Sequence, residues 1–369
     1  MNEITNIRNE FPILEHKIQL SSCSQSALHK NVKSSINQYI NSWENDGMDW
    51  ELWMEVCEDA RKKFAQLINA KPSEIAIVSS VSHAISSVAV SLQVEGEKNE
   101  FLVAENDFPC IGHVALSQND KNVKFVDYAR KNSLQENISE NTLLVSVPHV
   151  SFYNGAINNI ADTVRLAKEN NSLVFVDAYQ SAGQLDIDVK EMDVDFLAAG
   201  MQKYLLGIPG IAFLYVKEEV AEKMTPKITG WFGQENPFSF DGKNVTYANG
   251  AIRFDSGTFP MINGFAASSA LEILLKIGVK NIEKYLQELS SFTLEYSQQQ
   301  NLHIASPLDP KKKGSNTAIY VPNANELEAA LKKENILLSA RNDVIRIAPH
   351  FYNTKEEIIR AIDTIVRFT

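Results

Sequence analysis

From residue 70 onward, short and almost purely apolar runs alternate with stretches of helical periodicity. This alternation constrains the fold more than any other feature of the chain. The runs are Glu74 to Ser79 (EIAIVS), Phe101 to Ala104 (FLVA), Thr142 to Val147 (TLLVSV), Leu173 to Val176 (LVFV), Phe196 to Ala199 (FLAA) and Ile211 to Val216 (IAFLYV). A strand that is apolar on both pleat faces needs cover on both faces. The helical stretches supply it. In IADTVRLAKE, from Ile160 to Glu169, the spacing of Ile160, Val164, Leu166 and Ala167 makes one buried face. Strand–helix alternation predicts an α/β fold with a mostly parallel sheet flanked by helices. Past residue 260 the pattern changes. Phe265 to Ile277 and Ile282 to Gln300 read as long helices, Thr317 to Val321 and Val344 to Ala348 as strands, and Glu326 to Glu334 and Lys355 to Phe368 as helices. The expected division is a large domain over residues 16–260 and a small α+β domain from residues 1–15 and 261–369. A chain of 369 residues, 44% of them hydrophobic, can bury both cores.

A formal charge of -11 argues against a nucleic-acid surface, which needs clustered Lys and Arg. The longest basic run, Lys311-Lys312-Lys313 before Gly314 and Ser315, reads as a solvated turn. The amino terminus, MNEITNIRNEF, has no apolar signal core, and no stretch reaches the roughly 18 apolar residues needed to span a bilayer. Cys23, Cys57 and Cys110 lie far apart, with neither a disulfide framework nor zinc spacing. These features predict a soluble cytoplasmic protein without a metal site. Asp186, Asp188, Asp193 and Asp195 lack the glycine and terminal glutamate of a calcium loop and read as solvated.

Three charged residues sit where charge is costly. Asp177 ends the apolar strand LVFV, in VFVDAYQSAG. A carboxylate there either caps the next helix or pairs with a buried cation. Lys203, in FLAAGMQKYLLGIPGIAFLYV, is an isolated lysine between an apolar strand and a Leu/Gly/Pro turn. It either snorkels to the surface or is desolvated, which lowers its pKa as a nucleophilic amine requires. Arg346 interrupts the alternation of VIRIAPHFYNT, either for a buried ion pair or to take a carboxylate with its planar fork.

The segment from Phe175 to Val216 resembles the core motif of the class V aminotransferase-type enzymes of fold type I, which depend on pyridoxal 5'-phosphate (PLP). Its parts are a strand, Asp-x-x-[His/Gln]-Ser-x-Gly, an acidic loop, a strand, x-Lys-[Tyr/Trp]-Leu-x-Gly-x-x-Gly and a further strand. The resemblance covers nearly the whole chain. It implies that Lys203 carries PLP as a Schiff base and that Asp177 holds the pyridine nitrogen protonated. It implies a phosphate site at Ser82 and His83, in SSVSHAISSVA, where a helix start suits an anion. Phe108, in ENDFPCIGH, would stack on the ring and Gln180 would touch its 3′-oxygen. Gln202 stands where relatives have a phosphate-binding His or Tyr. Thr258, in RFDSGTFP, is expected to reach the phosphate of the neighbouring subunit, in a homodimer with shared sites. Trp231, in GWFGQENPF, resembles a kynureninase-like cofactor segment. The implied substrate is an α-amino acid, its carboxylate on Arg346 and its border formed by the LSSCSQSAL loop with Ser24. Cys23 in that loop reads as a small pocket-lining residue rather than a catalytic thiol, and His350 and Tyr352 read as packing residues.

Departures from the family narrow the activity. No cysteine follows Cys110, which disfavours a persulfide-forming desulfurase. Gln234 stands where kynureninases tend to have His, which disfavours kynurenine as substrate. The Phe-Pro and Gly-Trp-Phe-Gly segments favour a lyase that cleaves a β-substituent. An aminotransferase and a PLP-fold binding or regulatory protein without turnover are the alternatives.

Overall fold

The computed structural model describes residues 7–369. The part of the expected small domain that falls on residues 1–6 lies outside the described residues. Twelve strands are assigned in chain order: β1 (Ile18–Gln19), β2 (Ile75–Val78), β3 (Glu100–Ala104), β4 (Asn122–Val126), β5 (Thr142–Pro148), β6 (Leu173–Asp177), β7 (Phe196–Gly200), β8 (Ala212–Val216), β9 (Thr317–Tyr320), β10 (Ile336–Leu337), β11 (Ser339–Arg341) and β12 (Val344–Ile347). The longer helices are α1 (Lys30–Asp46), α2 (Trp50–Leu67), α3 (Val81–Ser91), α4 (Pro109–Leu116), α5 (Ile160–Glu169), α6 (Met261–Ile277), α7 (Val279–Gln299), α8 (Ala324–Lys333) and α9 (Lys355–Phe368).

The central sheet runs β2-β8-β7-β6-β5-β3-β4. All its neighbours pair in parallel except β8, which is antiparallel to both β2 and β7. Every run read as a two-faced apolar strand is one, and each is buried along nearly its whole length. The edge strand β4, NVKFV, escaped that reading because it is mostly exposed. Lys124 on it pairs with Glu100 of β3 and guards the open edge with charge. Asn159 caps α5 by accepting a hydrogen bond from the Asp162 amide at 3.2 Å, and the helix lays its apolar face on the sheet.

Helices α1 and α2, both amphipathic, pack on α6. Helix α6 meets α7 at a bend of 77°, where Gly278 takes φ +84° and the chain turns without a Cβ penalty. Among the described residues no single helix is long and apolar enough to cross a membrane. A second sheet, β11-β12-β9, is antiparallel, and β1 adds in parallel to β10. The N-terminal segment is further joined to the C-terminal region by Arg8, which binds Glu357 at 2.6 Å and the Tyr352 carbonyl at 2.7 Å.

The basic run departs from expectation. Lys311 and Lys312 are solvated, but Lys313 is only 2% exposed. Its ammonium donates to Ser290 Oγ at 2.5 Å, the Gly314 carbonyl at 2.9 Å and Thr317 Oγ1 at 3.0 Å, and burial lowers its pKa to about 7. The following strand β9 is buried, and it draws Lys313 inward with it.

Candidate active site

A cavity of about 310 Å³ opens beyond the carboxyl ends of the sheet strands. That is where an open α/β sheet leaves a crevice for a ligand. The start of α3, the loops following β3, β5 and β7, and the end of β6 bring Ser82, Phe108, Val150, Lys203 and Asp177 to its wall, and Ser24 and Arg341 close it from the other side.

Asp177 is the last residue of β6 and is 5% exposed. Its Oδ1 accepts the Tyr179 amide at 2.7 Å. Burial raises its pKa, with the Tyr179 amide and Lys203 acting against that rise. Lys203 is 9% exposed, and its Nζ forms no hydrogen bond or ion pair among the described residues. Its Nζ lies 4.2 Å from the centre of the Tyr179 ring and 5.8 Å from that of Phe108. Burial lowers its pKa to about 8, although Asp177 pulls the other way. The Lys203 amine therefore sheds its proton far more readily than a surface lysine.

Two glycines make this placement sterically possible. A Cβ on Gly200 would lie 2.4 Å from Tyr179 Cζ, so Gly200 lets the tyrosine ring lie against the strand beneath Lys203. Gly183, at φ +91°, would bring a Cβ within 2.3 Å of the Tyr204 carbonyl oxygen. The Ser-x-Gly of the Asp177 segment is thus a close-packing point against the Lys203 segment. On its other side the Tyr204 carbonyl meets His350 Nε2 at 3.0 Å, and Tyr352 Oη accepts the Ala27 amide at 2.9 Å. Both residues pack as expected, and His350 holds the turn that carries Lys203.

Helix α3 begins at the cavity. Ser80 caps it, its Oγ accepting the His83 amide at 3.1 Å, and Ser80 and Ser82 face the space. Free amides at the start of an eleven-residue helix suit an anion. His83 points elsewhere: it is half-buried, within 3.2 Å of Ser79 Oγ, and off the cavity wall. Gln180 and Gln202 both reach the wall, and their amides donate to the carbonyls of Cys23 and Ser24 at 3.0 and 3.4 Å. Trp231 and Thr258 are not brought to this cavity by their own chain. Trp231 packs among Trp50, Phe238 and Phe240, and Thr258 is exposed.

Arg346 is 1% exposed and held from four directions. Its Nε donates to the Ser339 carbonyl at 3.2 Å and Nη1 to the Phe152 carbonyl at 2.7 Å. Its Nη2 donates to Ser24 Oγ at 3.0 Å and Ser339 Oγ at 2.7 Å. Arg346 therefore stands behind Ser24 rather than on the wall itself.

Among the wall residues that the sequence does not mark as site residues, four carry ionisable groups. Asp107, beside Phe108, is 7% exposed; its Oδ1 accepts the Phe108 amide at 2.7 Å and its Oδ2 is buried with no partner. Burial raises its pKa well above the usual carboxylate range, and repulsion from Asp177 adds to this. Tyr179 lies between Asp177 and Gln180, Cys110 two residues after Phe108, and Arg341 next to a hairpin turn. For Asp107, Tyr179 and Cys110 the sequence signal is adjacency to marked residues; Arg341 has none. The cavity thus combines a desolvated amine, two buried carboxyls, aromatic rings and an anion-binding helix start.

The Aminotransferase class-V family model matches residues 21–361. The chain is 42% identical over 366 residues to the uncharacterized aminotransferase YcbU of Bacillus subtilis, covering 98% of this chain and 97% of that protein. It is 26% identical over 391 residues to a kynureninase of Shouchella clausii, covering 99% and 91%. A solved structure of a C-DES mutant with glycine covalently linked to the PLP cofactor superposes with a TM-score of 0.89 at 20% identity, over 97% of this chain and 98% of that one.

Proposed function

The chain belongs to the class V aminotransferase family of PLP-dependent enzymes, and from that premise we propose that it is a lyase removing the β-substituent of an α-amino acid through Lys203. The observation that carries this reading is the desolvated, acid-free Lys203 amine over the Tyr179 ring, in a cavity that also holds Asp177.

The residues present fit the cofactor. Asp107 Oδ2 is a buried polar atom without a partner, Lys203 is a buried amine without a bonded acid, and α3 opens its amino end on the same space. When bound, PLP supplies an electron sink for charge developing at the substrate's Cα. Asp177 would hold a proton at the pyridine nitrogen, and Phe108 would stack on the ring. Ser82 and the first amides of α3 would take the phosphate, with Gln180 and Gln202 fixing the cofactor's orientation. The Lys203 amine would take the Cα proton as general base. The Tyr179 and Phe108 rings, 4.2 and 5.8 Å from that amine, exclude water from it.

A homodimer in the cytoplasm completes the proposal. Thr258 is exposed and off its own cavity, and Phe238 and Phe240, 55% and 77% exposed, flank Trp231 in an uncovered aromatic patch. A partner covering that patch would bring Thr258 toward the second cavity. Aminotransfer is the second reading, favoured by the 42% identity to an uncharacterized aminotransferase.

Borohydride reduction of the yellow protein, followed by peptide mass spectrometry, tests the first step. Labelling of Lys203 is expected, and a label on another lysine overturns the assignment. Incubation with an amino-acid panel separates the two readings. Keto acid or alanine released without an added amino acceptor is the lyase outcome, and a strict need for a second keto acid is the aminotransferase outcome.

A further inference from the structure

Arg341 and Arg346 stand on the adjacent antiparallel strands β11 and β12. Ser339 pairs with Arg346 and Arg341 with Val344. Directly opposed residues share a sheet face, as do residues two apart on one strand, so Ser339, Arg341 and Arg346 project the same way. The two arginines are diagonal neighbours, with Cα atoms on the order of 7–8 Å apart.

Neither guanidinium forms an ion pair among the described residues. Arg346 is almost fully buried, yet its four acceptors are two carbonyls and two hydroxyls, all neutral, and one Nη1 hydrogen remains unused. Arg341 is half-buried, lines the Lys203 cavity, and donates only to its neighbour's carbonyl, Ala340 O, at 2.8 Å. Burial and the nearby Arg346 disfavour its charge, with Glu328 acting weakly against them.

Elsewhere this fold treats a buried arginine differently. Arg61, 1% exposed, binds Asp255 at 2.8 Å and Glu58 at 2.8 Å. A buried cation without an acid is costly, and removing the acid from such a pair is strongly destabilising. Where arginine is structural here, the chain supplies carboxylates. At the cavity rim no carboxylate pairs with either of two neighbouring arginines among the described residues: Glu328, near Arg341, spends its Oε2 on the Ala340 amide at 2.7 Å.

We infer that Arg341 is a second anion subsite, and that the substrate or amino acceptor carries a carboxylate or sulfinate at its side-chain end. Arg346 with Ser24 takes the α-carboxylate and Arg341 takes the distal acid, so the ligand class is the dicarboxylic amino acids and their sulfinate isosteres. This rests on the Lys203 cavity being the substrate site.

Calorimetric titration of the cofactor-loaded protein with amine-free acids tests it. Succinate and glutarate are compared with butyrate and valerate, the monoacids of equal chain length. None of the four can form a bond with the cofactor, so the result does not depend on chemistry at Lys203. Wild type should prefer each diacid by about tenfold or more, the scale of one charge-assisted pair. Arg341→Gln should abolish that preference while leaving monoacid affinity unchanged, and Arg341→Lys should keep part of it. Equal loss of monoacid and diacid binding in Arg341→Gln overturns the inference, because both arginines would then grip one carboxylate. Absence of any diacid preference in wild type overturns it too. A protein that keeps the preference but is not labelled at Lys203 by borohydride would sink the cofactor assignment alone.

Discussion

Replacing Lys203 with methionine should stabilise the cofactor-free protein while abolishing cofactor attachment. The magnitude follows from the environment of the amine. Burial moves its pKa from 10.5 to about 8, with no bonded acid to offset the desolvation. At 1.36 kcal/mol per unit, this corresponds to about 3 kcal/mol of destabilisation when the lysine is charged in both states. Because the folded state releases its proton first, it binds fewer protons than the unfolded chain between pH 8 and 10.5. The penalty is therefore fully present below pH 8 and is relieved as pH rises to 10.5. Methionine is similar in length and apolar, and it should fill the site with little strain. Urea unfolding of cofactor-free wild type and Lys203→Met, run across that range, measures both effects. Other groups titrate there too, but they cancel in the difference. The variant should be more stable by about 1–3 kcal/mol near neutral pH, with the gap closing toward the alkaline end. A variant less stable than wild type, or a gap independent of pH, would refute the reasoning that burial penalises the charge on Lys203.

Asp177→Ala should still attach cofactor at Lys203 but lose about 3 kcal/mol or more of transition-state stabilisation, measured as kcat/KM on the best substrate of the amino-acid panel; near-normal turnover contradicts its role. Arg346→Ala should weaken α-amino acid binding by about 2–5 kcal/mol in spectral titrations while leaving the cofactor's own absorbance unchanged. Asp255→Ala should cost about 3–5 kcal/mol of folding stability, read from the urea midpoint, because Arg61 loses its 1%-exposed partner and the Ile77 amide loses its acceptor at 2.7 Å. Light scattering should find a dimer, and Phe240→Glu should dissociate it and release cofactor on dilution; a stable monomer with full cofactor occupancy would remove Thr258 from the site.

Much of this was legible because the central strands are buried on both faces, which writes itself as unbroken apolar runs. Asp177 and Lys203 were visible as charges interrupting that pattern. The features missed share a different cause. The edge strand β4 mixes Asn122 and Lys124 with apolar residues because one side meets water. Helix α2 buries Arg61, which reads as a surface residue until Asp255, almost two hundred positions away, is seen to neutralise it. Lys313 follows two solvated lysines and differs from them only through the strand that succeeds it. Asp107 and Arg341 look like solvent-facing residues, and only the packing of the loop after β3 and of strand β11 against the cavity turns them to it. Local composition reports burial along an element, whereas these residues depend on contacts between distant elements.

The charges of the cavity also explain why so regular a sheet carries such costly loops. Asp107, Asp177, Lys203 and Arg346 are all buried, and among the described residues none forms an ion pair with another. Each is under-solvated in a way that the Arg61–Asp255 pair is not. A protein selected for stability alone would neutralise them internally or replace them with apolar residues. In the proposed reading, three of the four would find a partner in an amino acid bound to PLP: a protonated ring nitrogen for Asp177, a carbonyl carbon for Lys203, and a carboxylate for Arg346. Arg341 extends the same logic by one charge, toward a substrate with a second acid. On that reading the desolvation cost of these groups is offset when cofactor and substrate bind, and the lysine substitution measures one residue's share of it.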